Sequence, residues 1–233
     1  LAYYVKGRKG FFNSSTKHQL TRGLFIFLGT AFFYVSITKI PLPNALSLLL
    51  VAPIIVVILS VYILKERITL LKVICALIGF AGTLLVIQPG FADFNSYSVY
   101  ALVSGLFYAM YLIYTRKVNF SSDSIVSLSY STIPGAIIMT LLIPFYWESI
   151  PSLNQIMIMG CIGPVVIISH FFFIKAYQYA EASVLAPIHY FEIVSNVLIS
   201  IIFFNDIPTI AVSIGIMCII SSGVLISLNQ KNT

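Results

Sequence analysis

Hydrophobic positions in this chain come in long unbroken runs separated by short polar joints. Eight runs stand out, at about 23–38, 43–64, 70–88, 97–115, 124–146, 153–174, 182–205 and 209–228. Each is close to the roughly 20 apolar residues that a helix needs to cross a bilayer. The first is short and is expected to extend into its flanks. Membrane-spanning strands would alternate apolar and polar residues, and these runs do not. The joints carry helix breakers and caps: "KIPLPN", "KERIT", "QPGFADFNS", "RKVNFSSDS", "WESIPS", "YAEAS" and "NDIPT". None is long enough for a soluble domain. The pattern predicts an all-α integral membrane protein with residues 1–233 in a single membrane domain.

Composition agrees with that pattern. The chain is 59% hydrophobic and 9% charged, with a mean hydropathy of +1.01, whereas soluble domains carry about 25% charged residues. The formal charge of +6 is a topology signal. With the joints assigned alternately to the two faces, twelve basic residues fall on one: Lys6, Arg8, Lys9, Lys17, Arg22, Lys65, Arg67, Lys72, Arg116, Lys117, Lys175 and Lys231. Only Lys39 falls on the other. The rich face is therefore expected to be cytoplasmic, with residues 1 and 233 both on that side of the cytoplasmic (inner) membrane. Charges spread this way do not form a nucleic-acid site. Cys75, Cys161 and Cys218 sit in separate apolar runs and read as small hydrophobes, with no disulfide or metal spacing. The sequence calls for no metal and no cofactor.

Two segments repeat each other. "PNALSLLLVAPIIVVILSVYILKERITLLKVICALIGFAGTLLVI" and "ASVLAPIHYFEIVSNVLISIIFFNDIPTIAVSIGIMCIISSGVLIS" are each an apolar helix, an acidic joint and a second apolar helix with a late glycine. Glu66 matches Asp206 at an offset of 140, and Gly82 matches Gly223 at 141. The second span runs inward and the seventh outward, so the repeat is inverted, as in many secondary transporters with sites near the midplane. Spans one to three then match six to eight, and "LAYYV" at the start matches the end of the fifth. The expectation is a ten-helix arrangement of which the two N-terminal helices are missing here.

The segments "IPLPNALSLLLVAPIIVVILSVYILKERIT", "SGLFYAMYLIYTRKV", "KAYQYAEASVLAPIHYFEIV", "ALIGFAGTLLVI" and "SSGVLIS" resemble the EamA-type transporters of the drug/metabolite transporter superfamily. That resemblance implies ten helices in two inverted five-helix repeats, with residues 1–90 the remainder of the first repeat and 91–233 the second. It implies a secondary transporter working by alternating access, with proton coupling as an option, and not an enzyme. Within the family, "A-Y-x-x-A-x-A-S-x-x-A-P-x-x-Y-x-E" over Ala176–Glu192 is most similar to metabolite carriers, such as those for S-adenosylmethionine, riboflavin or amino acids. The partners implied are a small-molecule substrate, the lipid bilayer and a second copy in a homodimer. The joint "FND" departs from the family's L-G-E-like triplet, while "LKER" is closer.

Six of the seven acidic residues lie in joints: Glu66, Asp93, Asp123, Glu148, Glu181 and Asp206. Glu192 alone lies within a span, where a charge costs about 2.5–3.5 kcal/mol on insertion scales, so it should face a cavity or a partner. His189, Glu192 and Asn196 share one helical face. Pro187 favours a bend one turn before Glu192, and Pro53 beside Ala52, the repeat equivalent of Glu192, favours a second. Glu192 is the first candidate for a substrate amine or for proton coupling, with a hydrogen bond between helices as the alternative. A second stripe is Ser104, Tyr108, Tyr111 and Thr115; a third is Thr30, Tyr34 and Thr38. Tyrosine and hydroxyl groups suit a flat or zwitterionic metabolite, though such stripes also serve helix packing. His170 in the sixth span completes the candidates. Tyr97, Tyr146 and Trp147 read as interface anchors, Lys175 as a snorkelling cation, "KER" at 65–67 as an interfacial clamp, and Gly79/Gly82 and Gly160/Gly163 as sites of close helix approach. A non-transporting scaffold or truncated fragment is the alternative function. No H-E-x-x-H, paired carboxylates or Ser/His arrangement supports an enzyme.

Overall fold

A computed structural model describes residues 15–90, 95–119, 123–146 and 152–230, together with Gly7. Its elements are α1 (Thr16–Ile37), α2a (Leu42–Leu49), α2b (Ala52–Leu59) with a π turn at Ser60–Leu64, α3 (Leu70–Ile87), α4 (Ser96–Asn119) and α5 (Ser124–Leu142) with a 3₁₀ turn at Ile143–Phe145. They continue with α6 (Leu153–Tyr179), α7a (Ala182–Ile188), α7b (Phe191–Phe204) and α8 (Ile210–Gln230). Among the described residues, eight helices are long and apolar enough to cross a membrane, counting α2 and α7 as one span each. They fall on the eight hydrophobic runs, and the first extends N-terminally to Thr16. Asp93, Glu148, Trp147, Lys6, Arg8, Lys9, Lys231 and "LAYYV" lie outside the described residues.

The chain divides into two compact units. One comprises Leu1–Phe27 and Tyr114–Tyr179. Its core is polar as well as apolar. Arg22, counted above with the joint cations, lies inside α1 and is fully buried. Its guanidinium donates to the Ser127 carbonyl, to Ser131 Oγ at 2.7 Å and to Thr115 Oγ1 at 3.4 Å, while Gln19 Nε2 donates to Ser127 Oγ at 2.6 Å. Arg22 can be buried because its fork finds acceptors on two helices. Pro134 in α5 has no N–H for the Tyr130 carbonyl. That carbonyl faces Gly23 of α1, where a Cβ would collide with it. Gly160 and Gly163 correct the expectation of close approach: among the described residues nothing lies within 4 Å of where their Cβ atoms would be. The reason is that α6 is exposed on every side from Leu153 to Ser169.

The second unit comprises Leu28–Ile113 and Ala180–Thr233. Here α3 and α8 pack along their length. They meet at Gly82 and Gly215, where a Cβ on either would stand 2.6 Å from the other's carbonyl oxygen. Both long central spans are broken. Pro53 cannot bond the Leu49 carbonyl; the chain turns at Leu50 and Val51, and Ile54 N–H turns to the Val51 carbonyl at 3.0 Å. Pro187 precedes the second break, at His189 and Tyr190, where Tyr190, Glu192 and Ile193 N–H groups reach back only three residues. Leu50 and Tyr190 are 140 positions apart and touch: the Tyr190 hydroxyl donates to the Leu50 carbonyl at 3.2 Å. Around them lies a core of Ile193, Val194 and Ile219. Gly105 of α4 gives the turn its room, since a Cβ there would lie 2.9 Å from the Leu49 carbonyl.

The repeat recurs in the backbone. Lys65 and Asn205 both adopt the left-handed region, at φ 59° and 54°. Glu66 N–H bonds the Ser60 carbonyl at 3.2 Å and Asp206 N–H bonds the Ser200 carbonyl at 3.5 Å. Thr69 and Thr209 then accept from Lys72 and Val212 N–H groups, each at 3.4 Å. Every one of these pairs keeps the offset of 140 found in the sequence.

Candidate functional site

The break in α7 changes the setting of the acidic residue in the span. Glu192 lies in the first turn of a half-helix, α7b, and not within a continuous helix. The positive end of a helix favours a carboxylate at that position. Pro187 upstream and the three-residue bonds at Tyr190–Ile193 create that new helix start within the span. His189 sits in the break itself.

Tyr108 of α4 faces this corner. The His189 ring meets it edge-on at 6.2 Å between centroids, Tyr111 stacks on it at 6.1 Å and 22°, and Glu192 lies within its electrostatic reach. Tyr111 is buried, Tyr108 and His189 are half-buried, and Glu192 is exposed. A carboxylate, an imidazole and two stacked phenols thus converge at one helix break, a set that can hold a cationic or hydrogen-bonding group against an aromatic face.

The other sequence candidates are placed differently. Asn196 is exposed one turn beyond Glu192 on α7b. Ser104 is fully buried, and its hydroxyl donates to the Gly29 carbonyl at 2.8 Å, joining α4 to α1. Thr115 falls in the first unit and accepts from Arg22. Tyr34 is exposed on α1 beside Phe33, Thr30 is exposed, and the Thr38 hydroxyl bonds its own helix at Val35. His170 belongs to the first unit, beside Phe173 at 6.1 Å and within electrostatic reach of Arg22. Tyr97 and Tyr146 stand at helix ends, and Lys175 is exposed with its ammonium 5.9 Å from the Phe171 ring. An apolar groove of about 310 Å³ between α7 and α8, lined by Ile188, Phe191, Gly223, Val224, Ser227 and Leu228, offers a single side-chain hydroxyl and suits no polar ligand.

Three polar features escaped the sequence reading. Arg22 is one. The second is Asn44, whose amide donates to the Gly90 carbonyl at 2.9 Å and accepts from Gly90 N–H at 2.8 Å, tying the start of α2a to the end of α3. The third is Glu66, the acidic residue of the "KER" joint. Its carboxylate accepts from Ala182 N–H at 2.9 Å, Ser183 N–H at 3.0 Å and Ser183 Oγ at 2.6 Å, capping α7a. Beside it Lys72, expected at the cytoplasmic surface, is buried, pairs with Glu181 and donates to the Arg67 carbonyl at 2.8 Å. The only sequence signal for Glu66 was a joint carboxylate together with the "AS" that opens the seventh run.

The profile of the EamA-like transporter family matches residues 2–88 and 95–228. The S-adenosylmethionine uptake transporter of Rickettsia conorii is 28% identical over 91% of this chain and 72% of its own length. An uncharacterized transporter of Helicobacter pylori strain 26695 is 30% identical over 85% of this chain and 68% of its own. The pseudopaline exporter CntI of Pseudomonas aeruginosa strain UCBPP-PA14 is 26% identical over 91% and 75%. A crystal structure 19% identical superposes with a TM-score of 0.80, covering 97% of this chain and 81% of that one, and so shares the fold.

Proposed function

Since the chain belongs to the EamA-like transporter family, and is a multi-pass membrane transporter of small molecules rather than an enzyme, we propose that it carries a metabolite with a cationic centre beside a flat ring. The proposed type is S-adenosylmethionine, bound at the α7 break by Glu192, His189, Tyr108 and Tyr111. The observation that carries this reading is the carboxylate of Glu192, in the first turn of a half-helix and within reach of the Tyr108–Tyr111 stack. A sulfonium or ammonium would pair with the carboxylate while the aromatic face holds cation or ring. The names of the Rickettsia relatives support the same substrate class. Asn196, one turn further along α7b, would extend the polar face.

The finer parts of the reading rest on the basic-residue count and the repeat. They are alternating access around the helix breaks, two EamA repeats divided near residue 90, and the cytoplasmic membrane with residues 1 and 233 on its inner side.

The test is uptake of labelled S-adenosylmethionine, riboflavin and amino acids into proteoliposomes. We expect S-adenosylmethionine to be taken up. Glu192→Gln should raise its half-saturating concentration about tenfold or more, because charged hydrogen bonds contribute about 1.5–3 kcal/mol. Uptake of none of the panel by the wild-type protein refutes the substrate class; equal half-saturation in both proteins removes Glu192 from the site.

A further inference from the structure

The two repeats share one backbone pattern, so a contact made at one end of the second unit and not at its repeat equivalent sets the two ends apart. At the Glu66 end, the carboxylate caps α7a through two N–H groups and the Ser183 hydroxyl, Lys72 pairs with Glu181, and α2b packs against α7a. At the Asp206 end the equivalents of Ala182 and Ser183 are Leu42 and Pro43, and those of Lys72 and Glu181 are Val212 and Pro41. Asp206 takes its hydrogen bond from Ser200 of its own helix, at 2.6 Å. The N-cap of α2a is Pro41, with no side-chain cap; α2a meets α7b beside the helix breaks, where Leu46 and Leu49 pack on the core of Ile193 and Val194. Pro43 has no N–H to offer and Val212 has no charge, so the sequence itself makes the two ends unequal.

We propose that Glu66, supported by Lys72, is the gating residue of transport: its cap on α7a is a latch that closes the α2–α7 pair at the Lys65–Thr69 end and is released in each cycle. The Tyr190–Leu50 bond, at the point where the two broken spans touch, is the pivot about which the halves exchange. The described conformation is then latched at the Glu66 end, and α2a at the Asp206 end carries no side-chain cap. The inference rests on the transport reading but not on the identity of the substrate.

In protein lacking Cys75, Cys161 and Cys218, Ile68→Cys and Leu185→Cys, which leave Glu66 and Ser183 in place, are joined with a short bifunctional methanethiosulfonate, and S-adenosylmethionine counterflow is followed in proteoliposomes. We expect exchange to stop in the bridged protein and return on reduction; exchange that continues at the unbridged rate overturns the proposal. A second arm needs no substrate. Spin labels at Ile68→Cys and Leu185→Cys report the latch distance, and Glu66→Gln should lengthen and broaden it. A cap that only stabilises α7a would leave the distance distribution unchanged, and that result overturns the proposal as well. Absence of exchange in the unbridged protein alone, with the spin-label shift present, counts against the substrate reading and upholds the latch.

Discussion

Replacing Tyr190 by phenylalanine removes one oxygen from the centre of the second unit and almost nothing else. Tyr190 is fully buried, Leu50 nearly so, and the hydroxyl donates to the Leu50 carbonyl at 3.2 Å. That carbonyl needs an outside donor, because the break turns the Ile54 N–H to Val51. Two magnitudes compete. Side-chain hydrogen bonds within membranes average about 0.6 kcal/mol in double-mutant cycles, while stranding a buried polar group costs about 1–3 kcal/mol. The second governs here, since the surrounding side chains of Leu46, Leu49, Ile193 and Ile219 offer no donor. Phenylalanine keeps the ring and its contact with Phe80, so no cavity term is added. The expected loss is about 1–2 kcal/mol in unfolding free energy, measured by titrating detergent micelles with sodium dodecyl sulfate. Tyr62→Phe, on an exposed tyrosine, is the control and should change nothing. A Tyr190→Phe protein as stable as the wild type would refute the reasoning that the break leaves the Leu50 carbonyl dependent on that hydroxyl.

Gly82→Ala should cost about 1–3 kcal/mol by the same assay, because its Cβ would lie 2.6 Å from the Gly215 carbonyl. Gly160→Ala should be neutral or stabilising by up to about 1 kcal/mol, having open space and better helix propensity. Ser104→Ala should lose about 1 kcal/mol of stability with its bond to Gly29, and half-saturation of transport should stay at the wild-type value; a changed half-saturation would return Ser104 to the substrate site.

The spans were legible because lipid imposes a length and an apolarity that the sequence displays directly, and the eight helices fall on the eight runs. The repeat was legible through its acidic joints, and its offset of 140 recurs in the matched φ angles of Lys65 and Asn205. Proline announced both bends, but not their addresses. The turn precedes Pro53 at Leu50–Val51 and follows Pro187 at His189–Tyr190. Where a freed carbonyl settles depends on what approaches it, and Gly105 and the Tyr190 hydroxyl arrive from distant segments. Arg22 was misread for a related reason: a cation near a helix start reads as interfacial unless its acceptors on α4 and α5 are known. Gly160 and Gly163 have the spacing of a packing motif, but among the described residues no neighbour comes within 4 Å of where their Cβ atoms would be. Glu66 finds its partners 116 and 117 residues away, beyond any local pattern.

In the proposed function Glu192, at the start of α7b, recognises a positive charge on the substrate beside the Tyr108–Tyr111 stack. The most direct test is competition binding of S-adenosylmethionine against S-adenosylhomocysteine, the thioether that lacks the sulfonium charge, to purified wild-type and Glu192→Gln proteins. The wild type should prefer the sulfonium, and Glu192→Gln should lose most of that preference while still binding the thioether. An undiminished preference in Glu192→Gln, or none in the wild type, would contradict the account.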